Sequence, residues 1–300
     1  VIPVPDALPL EQPRRTLDDL VVSPSVKEQI DAAMARLANH QVLYHEWGLE
    51  AVDPKGAAVA LNLYGPPGTG KTLCAEGLAG SLGRPFLRVS YAELESKYVG
   101  DTAKNLVRIF RTASGTGAVV FFDEADAVMS RRIALVNQSS DHALNLTRSV
   151  LLMELDRFDG IAIFATNLVE SYDPAFLRRM FAHIRFELPD LPCRERLWRR
   201  LLPDKLPRDP DLQPDWLAEM TDGLSGADLL GLLVRAACRV VQRTGEARRV
   251  SRADIVAELT TIGCEPRGGL GAKSPLLPRA AQQQPGHEAP GAPARAGALS

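Results

Sequence analysis

The run Val59-Ala60-Leu61-Asn62-Leu63-Tyr64 is short and almost wholly apolar, the pattern of a strand buried on both faces. It breaks at Gly65-Pro66-Pro67-Gly68-Thr69-Gly70-Lys71-Thr72, and a helical pattern from Leu73 to Ala79 follows. The break has the form G-x-x-x-x-G-K-[ST] between a strand and a helix, the context in which that motif folds as a phosphate loop. Glycines let backbone N–H groups turn inward around phosphate oxygens where a side chain would collide. The helix start adds its partial positive charge. Gly65, Pro66, Pro67, Gly68, Thr69, Gly70 and Leu73 are expected to cradle the phosphates, with Lys71 bridging the terminal two and the Thr72 hydroxyl on Mg²⁺. A plain glycine-rich turn is the weaker reading, because the motif is complete and in its confirming context.

A cradle alone does not hydrolyse a nucleotide. The metal needs a carboxylate, and the attacking water needs a base or an orienting group. The apolar run Ala118–Phe122 ends in Asp123-Glu124-Ala125-Asp126. Asp123 reads as the Mg²⁺ carboxylate and Glu124 as the group that polarises the water. Ile161–Ala165 ends in Thr166-Asn167, and the Asn167 amide is placed to sense a γ-phosphate. Arg178 and Arg179 follow on a helix that opens at Asp173-Pro174. An arginine supplied by a neighbouring subunit can neutralise transition-state charge, although a surface pair explains these two equally well.

Further strands are expected over 84–90 and, at an edge, over 184–188. Helices are expected over 25–39, 102–114, 144–158 and 173–180, with a polar loop at 130–142. The alternation predicts an α/β fold, a doubly wound parallel sheet with its ligand at the strands' carboxyl ends. From Pro192 the pattern turns all-helical (194–202, 216–221, 227–244, 251–260). The expected organisation is an extended arm at 1–14, a nucleotide-binding α/β domain at 15–190, a small helical lid at 191–264, and a disordered Gly/Pro/Ala-rich tail at 265–300.

A net charge of −2 argues against a strong non-specific grip on nucleic acid. Arginines 194, 196, 199 and 200 form the one basic stretch, which reads as a solvated helix face or a subunit contact. Four scattered cysteines with no C-x-x-C pair point to a reducing cytoplasm without zinc or disulfides. No apolar run is long enough to span a membrane. The start at Val1 suits a fragment of a longer protein.

With these motifs in order, the chain resembles the ATPase module of the AAA family over residues 15–262. The resemblance rests on GPPGTGKT (65–72), SKYVGD (96–101), VVFFDEAD (119–126), ATN (165–167), DPAFLRR (173–179) and GLSGADL (223–229). It is similar to the clade of katanin, spastin, fidgetin and the mitochondrial membrane-protein extractors, and its Ala- and Arg-heavy usage suits a bacterial member. The resemblance implies a five-stranded nucleotide domain with a helical lid, and a ring, usually a hexamer, with ATP between subunits. It puts adenine against the backbone at Leu20 and Val21, and adenosine near Gly226 and Ala227. It makes Lys97, Tyr98 and Val99 a pore loop that grips a translocating polypeptide, where an aromatic ring grasps any side chain without reading sequence. It carries Arg179 over as the main trans-acting arginine. The family's second arginine has no clear counterpart, and His183 stands near its place; a neutral histidine would stabilise phosphate charge less well. The leading expectation is an ATP-driven ring that threads or disassembles a protein substrate presented by itself or by an adaptor. No H-E-x-x-H follows to cut it. The alternative is an ATP-gated assembly switch with slow hydrolysis.

Overall fold

The computed structural model describes residues 10–40, 42–53, 59–90, 101–129, 139–167, 172–245 and 248–264. Five strands form one sheet: β1 (Val59–Tyr64), β2 (Phe86–Ser90), β3 (Val119–Asp123), β4 (Ile161–Thr166) and β5 (Ala182–Arg185). Their order is β2-β3-β4-β1-β5, and every neighbouring pair is parallel. The helices are α1 (Pro24–Ala38), α2 (Lys71–Ser81), α3 (Asp101–Thr116), α4 (Asp126–Met129), α5 (Ser139–Arg157) and α6 (Pro174–Leu177). Four more follow: α7 (Leu191–Leu201), α8 (Pro214–Met220), α9 (Gly226–Val241) and α10 (Arg252–Thr261).

The strands read as unbroken apolar runs because both faces of the sheet are covered. In β3, Val119 and Phe121 pack with Val26 and Ile30 of α1 and Cys74 and Leu78 of α2. Val120 and Phe122 point the other way, onto Leu106 and Ile109 of α3 and Leu151 and Leu155 of α5. This is the doubly wound α/β architecture that the motif order predicts. The helices α7 to α10 enclose a separate core around Trp198, Leu217, Leu229, Leu232 and Ile255. Ser225 and Ser251 cap α9 and α10 in reciprocal boxes with Asp228 and Asp254, each worth about 1 kcal/mol.

Several boundaries differ from expectation. The edge strand lies two residues earlier than 184–188, because Phe181 N–H donates to Ala60 O and the chain must start pairing there to lie along β1. The same demand limits α6 to four residues instead of a helix through Met180. Helix α5 begins at Ser139, inside the polar stretch read as loop, where no apolar periodicity marks a helix. Residues 130–138 lie outside the described residues.

Candidate active site

The phosphate loop leaves β1 and enters α2 through three glycines with positive φ: Gly65 (+137°), Gly68 (+73°) and Gly70 (+103°). A Cβ at Gly65 would fall 2.0 Å from the carbonyl oxygen of Phe186. No side chain caps α2, so its first N–H groups remain available to an anion. Thr69 closes the loop on itself through a 2.8 Å bond to Pro66 O. Lys71 is buried, and its ammonium donates to Gly65 O (2.7 Å), Pro66 O (2.8 Å) and Asn167 Oδ1 (2.9 Å). That last bond joins the phosphate loop to the end of β4. Burial pushes the Lys71 pKa down, opposed by the charges of Asp123 and Asp126.

Asp123 is the last residue of β3, one position inside the strand rather than beyond it. Its Oδ2 accepts from Arg88 Nη2 at 2.6 Å, and its Oδ1 accepts the Glu124 N–H at 3.1 Å. Glu124 follows with φ +53°, the only non-glycine residue in the left-handed region among the described residues. Such a backbone costs on the order of 1 kcal/mol. It turns the chain sharply enough for Ala125 N–H to reach Ala165 O at 2.9 Å while Glu124 itself stays exposed. Thr166 bonds Asp126 through its hydroxyl, and Tyr172 donates to the same hydroxyl at 3.0 Å. Arg88, Thr166 and Tyr172 are not among the residues expected at the site. Arg88 interrupts an apolar strand and reads as merely solvent-facing; Tyr172 carries no local signal.

Leu20, Val21, Gly226 and Ala227 line one cavity of about 590 Å³ together with Gly68, Gly70 and Leu73. The segment that leads to it runs over α2 at residues 13–17. Gly77 and Gly80 allow this, since a Cβ at Gly80 would lie 2.0 Å from Arg15 O. Arg14 N–H bonds Glu76 Oε1 and Leu17 N–H bonds Ser81 Oγ, both at 3.0 Å. From the other side, Arg196 donates to Val22 O (2.7 Å) and Arg200 to Asp18 O (2.9 Å). Ala227 N–H bonds Gly68 O at 3.2 Å, which brings α9 onto the phosphate loop. The basic stretch on α7 is therefore engaged within the chain: Arg194 is buried against Ala218 O and Pro189 O, and Arg199 pairs with Glu195.

The two candidate trans-acting arginines differ. Arg179 makes a two-pronged ion pair with Asp156 (2.8 and 2.7 Å), and this pairing holds its pKa above the usual arginine value. Arg178 is exposed, and its side chain has no hydrogen bond or ion pair among the described residues. His183 sits in register with Asn62 on the neighbouring strand, with Nδ1 3.3 Å from Asn62 Nδ2. Thr72 lies in the first turn of α2. Lys97, Tyr98 and Val99 lie outside the described residues.

Residues 61–188 match the family described as "ATPase family associated with various cellular activities (AAA)". A proteasome-activating nucleotidase of Aeropyrum pernix is 35% identical over 254 residues, 81% of this chain and 59% of the relative. A 26S proteasome regulatory subunit 4 homolog of Arabidopsis thaliana is 37% identical over 216 residues, 70% of this chain and 47% of the relative. An ATP-dependent zinc metalloprotease, FtsH 3 of Sphaerobacter thermophilus, is 35% identical over 253 residues, 82% and 49% respectively. The chain thus spans about half the length of these relatives. Among the described residues no helix is long and apolar enough to cross a membrane.

Proposed function

The chain carries an AAA ATPase domain, and we propose that it is the motor of a homo-oligomeric ring, hexameric by resemblance, that hydrolyses Mg-ATP to thread or disassemble a protein substrate. The observation that carries this reading is the Lys71–Asn167 bond, which gathers the phosphate loop and the end of β4 within reach of the Asp123 and Asp126 charges. Adenosine would fill the cavity between the Leu20–Val21 backbone and the start of α9. The phosphates would lie on the N–H groups of residues 68–73, with Lys71 turning from the loop carbonyls to the β- and γ-oxygens. The Thr72 hydroxyl and the Asp123 carboxylate are hard oxygen donors, the set that suits Mg²⁺. When bound, that ion supplies positive charge against the phosphate oxygens. Glu124 would take or orient the water's protons, and Asn167, released by Lys71, would hold the γ-phosphate.

Arg178 is the arginine we assign to the neighbouring subunit's site, because it is unengaged while Arg179 is held by Asp156. Arg179 and Asp156 then fix the turn that presents Arg178. Lys97, Tyr98 and Val99 would grip the substrate in the central channel. Tyr98→Ala tests the threading role. Loss of substrate remodelling with ATP turnover retained is the expected result; full remodelling by the variant would refute threading and favour the switch.

A further inference from the structure

Arg88 stands on β2, beside β3, with its guanidinium 2.6 Å from Asp123 Oδ2. Ser90 is the register partner of Asp123, so Arg88, two residues earlier on the same strand face, reaches diagonally to the carboxyl edge of the sheet. The second carboxylate oxygen already accepts the Glu124 N–H. Both oxygens of Asp123 are therefore occupied within the chain. Lys71, the other group with most to offer a nucleotide, is likewise occupied by two loop carbonyls and Asn167. The ligand-binding groups of the cleft are thus held by partners within the chain.

We propose that Arg88 is a built-in competitor of the divalent cation, holding the Asp123 carboxylate and being drawn off it as metal and nucleotide bind. The inference rests on the reading of Asp123 as the metal carboxylate. The guanidinium holds the carboxylate by charge as well as by hydrogen bond. Its hold is limited by exposure: the Arg88 side chain is 51% exposed against 20% for Asp123. An ion pair open to water is weak and can be replaced, whereas a buried one would close the site to metal. The guanidinium also keeps Asp123 from standing as an uncompensated anion beside Glu124 and Asp126. The effect is a metal requirement set higher than the oxygen donors alone would give.

The test uses the full chain with saturating ADP and Mn²⁺ as the probe, free Mn²⁺ being read by electron paramagnetic resonance. Arg88→Gln, which removes the charge and leaves a shorter polar side chain, is expected to bind Mn²⁺ about two- to fivefold more tightly than wild type. Arg88→Lys, which keeps the charge, is expected to stay near wild type. Unchanged or weaker Mn²⁺ binding by Arg88→Gln would overturn the inference, as would Arg88→Lys binding as tightly as Arg88→Gln. Binding of a fluorescent ADP analogue in EDTA, measured in parallel, is expected to be equal in all three proteins and reports that each is folded. If wild type bound no nucleotide either in EDTA or with Mn²⁺, the nucleotide reading itself would fall and the inference with it.

Discussion

The two ends of the nucleotide cleft are built by different means. At the phosphate end a few chemically specialised side chains meet at short range: Lys71 against Asn167, Asp123 against Arg88, Glu124 on a strained turn. At the adenosine end the walls are backbone and small apolar groups from distant segments. Leu20, Val21 and Val22 line one side and the start of α9, at Gly226 and Ala227, another. On the proposed reading the first end would hold phosphate by charge, while the second is shaped by close approach at Gly68, Gly77 and Gly80, where a Cβ would meet Ser225, Thr16 and Arg15. Charge recognition tolerates a mobile surrounding. Backbone apposition does not, which is why Arg196 and Arg200 fasten the 17–22 segment from across the cleft.

Removing the central cation should separate the two ends most sharply. Lys71→Ala is expected to weaken ATP binding on the order of 100-fold through loss of charge-assisted bonds, with the thermal midpoint unchanged or raised because a buried charge has gone. A fluorescent-nucleotide titration beside a melt reads both. Gly80→Ala touches no phosphate contact, yet its Cβ would push on Arg15 O. It should cost about tenfold in nucleotide affinity by lifting residues 15–22 off α2. Affinity left intact would mean that the adenosine end does not depend on this apposition.

This contrast explains what could be read from the sequence. The phosphate end is legible because its chemistry demands particular residue types at fixed spacing, as in Gly65–Thr72 and Asp123-Glu124. The alternating apolar runs likewise announce the parallel sheet. Leu20, Val21, Gly226 and Ala227 were reachable only through family resemblance, since a backbone wall can be made of almost any residues. The Arg88–Asp123 pair joins two strands with no local signature, and the engagement of Arg179 by Asp156 depends on how α5 passes α6. The basic stretch on α7 shows the same limit: Arg196, Arg199 and Arg200 are exposed as a solvated face would be, but the bonds of Arg196 and Arg200 to Val22 O and Asp18 O carry no signal in the sequence.

Smaller effects sharpen the comparison further. Arg200→Ala should weaken nucleotide binding by about two- to fourfold, the scale of an exposed charged contact, with no change in metal affinity. Isothermal titration with and without Mg²⁺ separates the two. Alkaline pH should act on the phosphate end alone. Burial lowers the Lys71 pKa, and phosphate needs its charged form. Affinity should therefore fall as pH rises through that lowered pKa, beginning below the ordinary lysine range near about 10. Folding stability moves the opposite way: the cost of the buried charge is present at low pH and is relieved as pH climbs from the folded to the unfolded pKa. Lys71→Arg should flatten the affinity profile.

The central claim is that each site is completed by Arg178 of a neighbouring copy, and mixing two inactive variants tests it most directly. Glu124→Gln lacks its own catalytic carboxylate but offers a sound Arg178; Arg178→Ala has the reverse. Turnover is measured for each alone and for an equal mixture allowed to exchange subunits. The account predicts that both variants are nearly inactive alone and that the mixture recovers activity, since about a quarter of head-to-tail interfaces then carry an intact pair. A mixture as inactive as its parents, or an Arg178→Ala protein as active as wild type, would contradict a site shared between subunits.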